Sequence, residues 1–600
     1  MKNIINICQN CKNNFVIEQE DFNFYEKMQV PAPTWCPLCR SIRRLTYVGD
    51  RFFYKDECEK CKKKMISLFH PESPFLVYCN ACWWGDSWEP SDFGQEYDFS
   101  KPFLEQFHEL QKRVPYQATD NRNCTNCDYC ESVIRCKNCT IVFGGLQSIN
   151  CHYCENAVFS RDTIDSDCIF NADHIYETVY SNGVYNTKFS FFSDECIDCS
   201  FIFNCLGCSN CFGCVNLRNQ KYCIWNKQYT KEDYKKEIEK WNLGSYEILQ
   251  TAKEEFFKLY YKIPRKFALI INSSNVTGDD LKNSKNCKNC FVTRHGVENC
   301  KNVFTCGLLL KDSHDIVNGG DTSELLYDTS TSLHSQRIMF SHGCNNSMDI
   351  EYSDRIYNCS NCFGCIMFRH KKYCILNKQY TKEEYEALVP KIRKHMNEVP
   401  YIDKKGRIYK YGEFFPPEHS LWMYNETWAN QYFPLTKNDV FNNGYHWRDP
   451  IKRDYKITIE SKDLPDDIIH VSNSILNEVI SCKHTIKKED GTFESSCNEQ
   501  CTVAYKILPY ELEFYRSMGL ALPHLCYNCR YYERLKMVNP PKLWHRKCMC
   551  GGTESSNKEY KNTIKHGHGD KPCSEEFETA ISEDRKEIVY CKECYQAEFI

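Results

Sequence analysis

Small residues recur at every third position through the middle of the chain, between polar ones, and the pattern repeats every 12 residues. Steps of 12 meet Asn or Asp at seven of eight positions, which are Asn126, Asn138, Asn150, Asp162, His174, Asn186, Asp198 and Asn210. A fixed period is the signature of a repeat architecture. A 12-residue coil has no interior room for Leu or Phe, so the pattern predicts a narrow β-solenoid over residues 121–229 with stacked Asn side chains.

A second, less regular stretch predicts another solenoid over residues 265–380. Its Asn and Asp positions step by 13 and later by 12, and residues 329–348 break the register between the two runs. The positions are Asn289, Asn302, Asp315, Asp328, Asp349 and Asn361.

Both solenoids end in the same sequence. "CSNCFGCVNLRNQKYCIWNKQYTKEDY" (208–234) and "CSNCFGCIMFRHKKYCILNKQYTKEEY" (359–385) share 20 of 27 residues, which indicates an internal duplication. Thr230 with Asp233, and Thr381 with Glu384, have the spacing of helix capping boxes. We therefore expect a helix to cover the last coil of each solenoid, because that coil exposes unpaired strand edges. The caps and linkers occupy residues 230–264 and 381–480, the latter with an aromatic connector.

Cysteine pairs predict two metal-binding modules at the N-terminus, over residues 1–50 and 51–120. A Cys-x2-Cys turn delivers two sulfurs, and two such turns complete a tetrahedral zinc site. The first set is Cys8, Cys11, Cys36 and Cys39, and the second is Cys58, Cys61, Cys79 and Cys82.

The C-terminus repeats these modules at an offset of 490 residues, over residues 481–545 and 546–600. "DFNFYEKMQVPAPTWCPLCR" (21–40) lies over "ELEFYRSMGLALPHLCYNCR" (511–530). Cys482 is an alternative ligand for one place in the third set. Residues 549–572 split the first cysteine pair of the fourth set, and Cys550, His566 and His568 are alternative ligands there. The expected ligands are Cys497, Cys501, Cys526 and Cys529, then Cys548, Cys573, Cys591 and Cys594.

The N-terminal sequence "MKNIINICQNCK" has no apolar signal core, and the chain has no apolar run long enough to cross a bilayer. We therefore expect a cytoplasmic protein with no membrane partner. All 42 cysteines are then expected to be reduced. Four complete sets predict about four structural zinc ions, and the solenoid cysteines are interpreted as packed free thiols, with an added metal or disulfides as alternatives.

The terminal modules resemble the treble-clef or zinc-ribbon domains of an uncharacterised bacterial family of multi-cysteine proteins. The "FY-x2-M" and "VYC-x2-C" motifs carry the resemblance. It implies zinc binding and the order of the domains, and it implies no activity. The whole predicted fold is mainly β, with two helix-capped solenoids of 12–13-residue coils flanked by tandem treble-clef/zinc-ribbon modules of small α+β type.

Charge supports nucleic-acid binding only at the ends of the chain. Residues 36–64 and 530–547 each carry a net charge of +5, whereas the whole chain is −4. Four zinc ions held by four thiolates each would bring the total to −12, which repels polyanions. The candidate phosphate contacts are Arg40, Arg43, Arg44, Arg530 and Arg534, for which salt bridges to neighbouring acids are the alternative.

Three classes of function remain. The favoured one is a non-catalytic zinc-binding scaffold for protein partners, because solenoids present long surfaces. The first alternative is a nucleic-acid-binding protein, and the second is a cysteine- or zinc-dependent enzyme. The sequence has no His-Glu-x2-His motif, no P-loop and no nucleophile elbow, and histidines are scattered along the chain, at His108, His174, His295, His314, His334 and His342.

Overall fold

The structure is a computed structural model that describes residues 3–49, 51–306, 308–449, 455–489, 492–497 and 500–599. It is mostly β, and stacked β-coils run across residues 121–375. In this described part of the chain, every helix is too short or too polar to cross a bilayer.

The coils form two hydrogen-bonded sheets. Along the chain, one sheet precedes helix Tyr246–Lys262 and the other follows it. The pairing is parallel from coil to coil, and the last strand of each sheet turns back antiparallel. The first sheet comprises Thr125–Asp128, Lys137–Phe143, Ile149–Val158, Arg161–Ile164, Asp167–Phe170, Asp173–Tyr176, Val179–Asn182, Tyr185–Phe191, Ser200–Phe203, Ser209–Val215, Lys221–Ile224 and Lys227–Gln228. The second comprises Ile270–Ile271, Ser274–Lys282, Lys285–Thr293, Lys301–Cys306, His314–Gly319, Glu324–Ser330, Gln336–Met339, Met348–Glu351, Ser360–Phe363, Lys372–Ile375 and Lys378–Gln379.

The remaining strands form short two-stranded pairs. These are Ile4–Ile7 with Asn14–Ile17, Tyr54–Glu57 with Lys64–Ser67, Val77–Tyr78 with Tyr116–Gln117, Asn121–Arg122 with Val133–Ile134, Arg265–Lys266 with Val589–Tyr590, Tyr401–Ile402 with Ile408–Tyr409, Ile480–Ser481 with Ala504–Tyr505, Thr485–Lys487 with Phe493–Ser495, and Trp544–Lys547 with Glu576–Thr579.

The helices lie outside the coils. The α-helices are Gln19–Met28, Pro37–Leu45, Asn80–Trp83, Phe103–Arg113, Lys231–Ile238, Tyr246–Lys262, Lys382–Glu398, Trp428–Tyr432, Lys437–Asn442, Pro509–Met518, Tyr527–Leu535 and Lys592–Phe599. Short 3-10 helices are Pro90–Phe93, Pro417–His419, Tyr424–Glu426, Ser461–Asp463, Ile468–His470 and Asn473–Asn477.

A 12-residue coil turns at a left-handed residue every three positions and so has four corners. The 13-residue coils predicted in the second sheet are present, and each has one step of four, as from Thr305 to Leu309. In the coil that begins at Asn138 the corners have φ of 54°, 55°, 68° and 49°, at Asn138, Ile141, Gly144 and Gln147. The residue after each corner points inward. The side chains of Cys139, Val142 and Ser148 are fully buried there. Most inward side chains are small, as the narrow coil predicts. The expectation that Leu and Phe have no room inside is wrong, because the second sheet buries Leu281, Leu310, Leu326 and Phe368 at inward positions.

The Asn column forms a hydrogen-bonded ladder along one corner. Asn126 Nδ2 donates to Asn138 Oδ1 at 3.1 Å, Asn138 Nδ2 to Asn150 Oδ1 at 3.0 Å, and Asn150 Nδ2 to Asp162 Oδ1 at 2.7 Å. An amide carries both a donor and an acceptor, so each Asn bonds to the coils above and below it. Asn also tolerates the left-handed backbone better than most residues.

The expected break at residues 329–348 is wrong, because two neighbouring Asn columns were merged into one. In the second sheet Glu324 pairs with Gln336 and Gln336 with Met348, so 12-residue coils continue through this stretch. Asp328 belongs to the column of Asn302 and Asp315, which continues at Phe340. Asp349 and Asn361 belong to the adjacent column, which starts with the ladder Asn275, Asn286, Asn299 and Asp312.

At the end of both sheets, an Asn side chain forms the same two hydrogen bonds to the backbone. Asn226 Oδ1 accepts from the N–H of Val215 at 2.8 Å, and its Nδ2 donates to the carbonyl of the same residue at 2.9 Å. Asn377 does the same to Ile366, at 2.8 and 3.0 Å. Each Asn thus satisfies backbone groups that a further coil would otherwise pair.

The cap helices begin where the sequence predicts. Thr230 caps helix Lys231–Ile238, and Thr381 with Glu384 forms the full capping box of helix Lys382–Glu398. Tyr234 packs on Tyr222 with ring centroids 5.6 Å apart. The equivalent pair in the second sheet, Tyr385 and Tyr373, is 5.8 Å apart.

We expect Asn138→Leu to destabilise the coils by about 2–4 kcal/mol, because it removes two ladder hydrogen bonds and places a bulky side chain at a left-handed corner. Asn138→Gly keeps the corner and should lose the ladder bonds alone. The matched control is the exposed Lys137→Ala. Hydrogen exchange of strand Lys137–Phe143 and thermal unfolding measure the differences. Equal effects of the Leu and Ala variants would contradict the corner assignment.

Candidate metal centres and buried arginines

Four cysteine clusters, one in each terminal module, share one construction. The first sulfur of the set follows a short strand, and the third cysteine caps or immediately precedes a helix. The backbone N–H of the third cysteine donates to the first sulfur. These bonds run from Cys36 to Cys8 (3.2 Å), Cys79 to Cys58 (3.2 Å), Cys526 to Cys482 (3.4 Å) and Cys591 to Cys548 (3.2 Å).

The two N-terminal sets lie as the spacing predicts. The sulfurs of Cys8, Cys11, Cys36 and Cys39 lie within 4.8 Å of one another, and so do those of Cys58, Cys61, Cys79 and Cys82. Left-handed residues Lys12 and Lys62 close the two hairpin turns, with φ of 63° and 58°. Each cluster can hold a metal ion.

In the third module the four-sulfur group is Cys482, Cys501, Cys526 and Cys529, so Cys482 takes the place that we expected Cys497 to occupy. A second hairpin, Thr485–Lys487 with Phe493–Ser495, separates Cys482 from Cys501. Pairing of Ser481 with Ala504 brings these two cysteines back together. Cys497 lies at the rim of the cluster, with its Sγ 3.8 Å from that of Cys529. The sequence named Cys482 only as the alternative, because the inserted hairpin separates it from Cys501 along the chain.

In the fourth module, Cys548, Cys573, Cys591 and Cys594 form the four-sulfur group. The strand pair Trp544–Lys547 with Glu576–Thr579 spans the inserted segment and brings Cys548 and Cys573 together. Cys550, His566 and His568 lie beside this group and share Cys594 with it.

Hydrogen bonds lower the pKa of two module sulfurs, Cys58 and Cys591. Burial raises the pKa of Cys58, but backbone N–H groups of Cys61, Cys79 and Lys60 outweigh it and bring the pKa to about 7. The pKa of Cys591 is lowered to about 6, first by a hydrogen bond from Cys548, against the effect of burial. A thiolate is the form of cysteine that binds metal.

The coil cysteines have a different environment. Burial raises the pKa of Cys300 and of Cys344 well above its ordinary value. Their thiols point at backbone carbonyls, and the Sγ of Cys300 lies 3.2 Å from the oxygen of Glu298. Ser148 occupies the same kind of position and donates to Leu146 and Ala157. These coil cysteines therefore act as small buried donors, interchangeable with Ser.

The five arginines proposed as phosphate contacts are buried, with exposed fractions of 0–4%. Arg44 Nη1 lies 2.5 Å from Asp328 Oδ1, and its Nη2 lies 3.3 Å from Asp315 Oδ1. Arg40 pairs with Asp315 at 2.8 Å, and Arg43 pairs with Asp328 at 3.1 Å. Helix Pro37–Leu45 is thus clamped to the second sheet.

The C-terminal arginines repeat this arrangement on the first sheet. Arg530 Nε lies 2.7 Å from Asp165 Oδ2, and Arg534 Nε lies 2.7 Å from Asp167 Oδ2. The five guanidinium groups therefore face carboxylates inside the protein, as the salt-bridge alternative expected. None of these five presents an exposed charge to a phosphate.

Aromatic side chains add contacts to both of these interfaces between the terminal modules and the sheets. Phe24 stacks on His314 with ring centroids 3.7 Å apart, and Tyr25 lies 5.6 Å from Tyr327. On the other half of the molecule, Tyr515 lies 5.8 Å from Tyr176. His314 is thus a packing residue of the interface, and burial lowers its pKa to about 4.

A scan against protein-family models and a search of curated proteins found no match for this chain. The resemblance of the terminal modules to multi-cysteine zinc proteins therefore depends on their motifs.

We expect Arg44→Gln to weaken docking of helix Pro37–Leu45 by about 1.5–3 kcal/mol, because Asp315 and Asp328 each lose one of their two arginine partners and keep only Arg40 and Arg43. The control is Lys27→Gln in the same interface. Lys27 pairs with Asp312 at 3.0 Å but is half exposed, so its loss should cost less than about 1 kcal/mol. Hydrogen exchange of the helix measures the opening free energy. Similar protection in both variants would contradict the clamp.

Proposed function

We propose that this protein is a non-catalytic, zinc-dependent scaffold. The observation that carries the proposal is the repeated four-sulfur cluster at the base of each terminal module. Zinc is the metal that fits four thiolates without an open position, which is the mark of a structural rather than a catalytic site. The modules are then of the treble-clef or zinc-ribbon type, each formed by a knuckle, a hairpin and a helix.

Sulfur distances support zinc. Zn–S bonds of about 2.3 Å imply tetrahedral edges of about 3.8 Å between sulfurs. The Sγ atoms of Cys11 and Cys36 lie 3.8 Å apart, and those of Cys61 and Cys79 also lie 3.8 Å apart. The equivalent C-terminal distances are 3.8 Å from Cys501 to Cys526 and 3.9 Å from Cys573 to Cys591.

The role that we assign to zinc is to fix the docking helices. Cys36 and Cys39 lie on the first turn of helix Pro37–Leu45, which carries Arg44 into the second sheet. Cys526 and Cys529 hold helix Tyr527–Leu535 in the same way, with Arg530 against the first sheet. Loss of zinc is therefore expected to release the clamps as well as unfold the modules.

The walls of the coils are the surface that we propose for protein partners. Tyr185 and Ile197 lie on adjacent coils, joined by a β-bridge, and are about half exposed. Long regular walls of this kind suit recognition of extended protein surfaces.

The nucleic-acid alternative now has to depend on lysines. Lys62, Lys63 and Lys64 are exposed at the hairpin turn of the second module, within the basic stretch 36–64. Exposed lysines can contact phosphates, whereas the buried arginines already have carboxylate partners.

We expect purified protein to contain at least four zinc ions, and the double variant Cys8→Ser with Cys11→Ser to contain one fewer. Chelation should also remove protection from helix Pro37–Leu45. The matched control is Cys344→Ser, because Ser332 and Ser353 already lie beside this coil cysteine. Native mass spectrometry counts the ions. Two or fewer ions in intact wild-type protein would contradict the assignment.

The scaffold proposal also predicts defined protein partners. A pull-down from cytosol should recover them after nuclease treatment, and the double variant Tyr185→Ser with Ile197→Ser should weaken the recovery. The nucleic-acid alternative predicts salt-sensitive retention on an RNA and DNA column, reduced in the variant Lys62→Gln, Lys63→Gln, Lys64→Gln. Such retention without any protein partner would reverse our choice. Replacing Arg40, Arg43 and Arg44 cannot decide the matter, since it would disturb the fold.

A further inference from the structure

A second group of metal-ligand atoms lies beside the four-sulfur cluster of the last module. The sulfurs of Cys550 and Cys594 and a ring nitrogen each of His566 and His568 all lie within 4.8 Å of one another. Cys594 belongs to both groups. The inserted segment that splits the first knuckle thus adds three new ligand atoms.

His566 is oriented as a metal ligand. Its Nε2 lies 2.9 Å from Glu598 Oε1, and both side chains are fully buried. A carboxylate accepts, so Nε2 carries the proton and Nδ1 keeps its lone pair, 3.7 Å from the Sγ of Cys550. Metal-binding histidines are typically held by such a carboxylate. Glu598 is fixed in turn by the N–H of Thr563 and the hydroxyl of Tyr560, each at 3.0 Å.

His568 is oriented by a backbone carbonyl. Its Nδ1 lies 2.6 Å from the oxygen of Lys571, which can only accept. The proton is therefore on Nδ1, and the free lone pair of Nε2 lies 3.3 Å from the Sγ of Cys594. Both histidines thus aim an unprotonated nitrogen at a sulfur of the same group.

Cys550 has the surroundings of a thiolate ligand. The amide Nδ2 of Asn562 donates to its Sγ at 3.2 Å, and Tyr590 holds that amide by donating to its Oδ1 at 2.8 Å. Cys550 is 1% exposed. Such outer hydrogen bonds are typical of metal centres and fix their first ligands.

The distances fit a tetrahedral zinc ion. Zn–S bonds of about 2.3 Å and Zn–N bonds of about 2.0–2.1 Å imply sulfur-to-nitrogen edges of about 3.6 Å. The two such distances here, 3.7 and 3.3 Å, bracket that value.

We propose that the C-terminal module binds two zinc ions that share the thiolate of Cys594. The first ion is held by Cys548, Cys573, Cys591 and Cys594, and the second by Cys550, His566, His568 and Cys594. The second site does not depend on the scaffold function. It raises the expected zinc content of the chain from four to five.

Native mass spectrometry of the full zinc-loaded chain tests this proposal. We expect five ions in wild type, and one fewer in Cys550→Ser and in His566→Ala. The matched control is His545→Ala in the same module, an exposed histidine that pairs with Glu576 and Glu578 and should keep all five. The measured quantity is the difference of one ion between each variant and wild type prepared in the same way. A loss of metal from another module in all samples would leave that difference unchanged.

Cobalt substitution separates the two sites. A site with two sulfurs and two nitrogens absorbs differently from a four-sulfur site, and its bands should vanish in His566→Ala while the four-sulfur bands persist. Four-sulfur bands of undiminished intensity, equal to four such sites, show that the variant module still holds its first ion and is folded. The same ion count in His566→Ala, Cys550→Ser and wild type would overturn the proposal, leaving Cys550 as a thiol that donates to His566.

Discussion

The left-handed corner at every third residue is the constraint on which the rest of this structure depends. It closes a coil in 12 residues, and most of the inward positions that follow a corner hold small side chains. Cys, Ser, Val, Ile and Ala fill most of the interior, with Leu281, Leu310, Leu326 and Phe368 as larger residues in the second sheet. Asn and Asp recur at corners where a left-handed backbone and a ladder bond are both required. The same geometry gives each sheet an open end, which the side chains of Asn226 and Asn377 complete.

Ion pairs between distant segments turn these coils into one assembly. The N-terminal helix Pro37–Leu45 docks on the second sheet, and the C-terminal helix Tyr527–Leu535 docks on the first. Buried arginine pairs are expensive to desolvate and costly to break, so they fix position more than they add stability. The corner aspartates Asp315 and Asp328 occupy ladder positions, where Asp in place of Asn supplies the charge that the arginines require.

The cysteines of the terminal modules differ from those of the coils in how their sulfurs are grouped. Each module brings four sulfurs to one point, and the backbone N–H of the third cysteine donates to the first sulfur, as with Cys8 and Cys58. The sulfurs of the coil cysteines Cys300 and Cys344 face backbone carbonyl oxygens, and burial raises the pKa of both. These two are therefore thiols that fill the coil interior.

The sequence alone was enough to predict the coil period, the inward columns, the helix caps and the two N-terminal cysteine sets, because each depends on residues close together in the chain. The register of the second sheet was misjudged where Phe340 and Tyr352 replace Asn at the corners. Only the tertiary structure decided that Cys482 joins the third cluster, that Arg44 faces Asp328 and that His566 lies beside Cys550. Those choices depend on strand pairings and docked helices that join distant segments, and spacing along a chain carries no record of them.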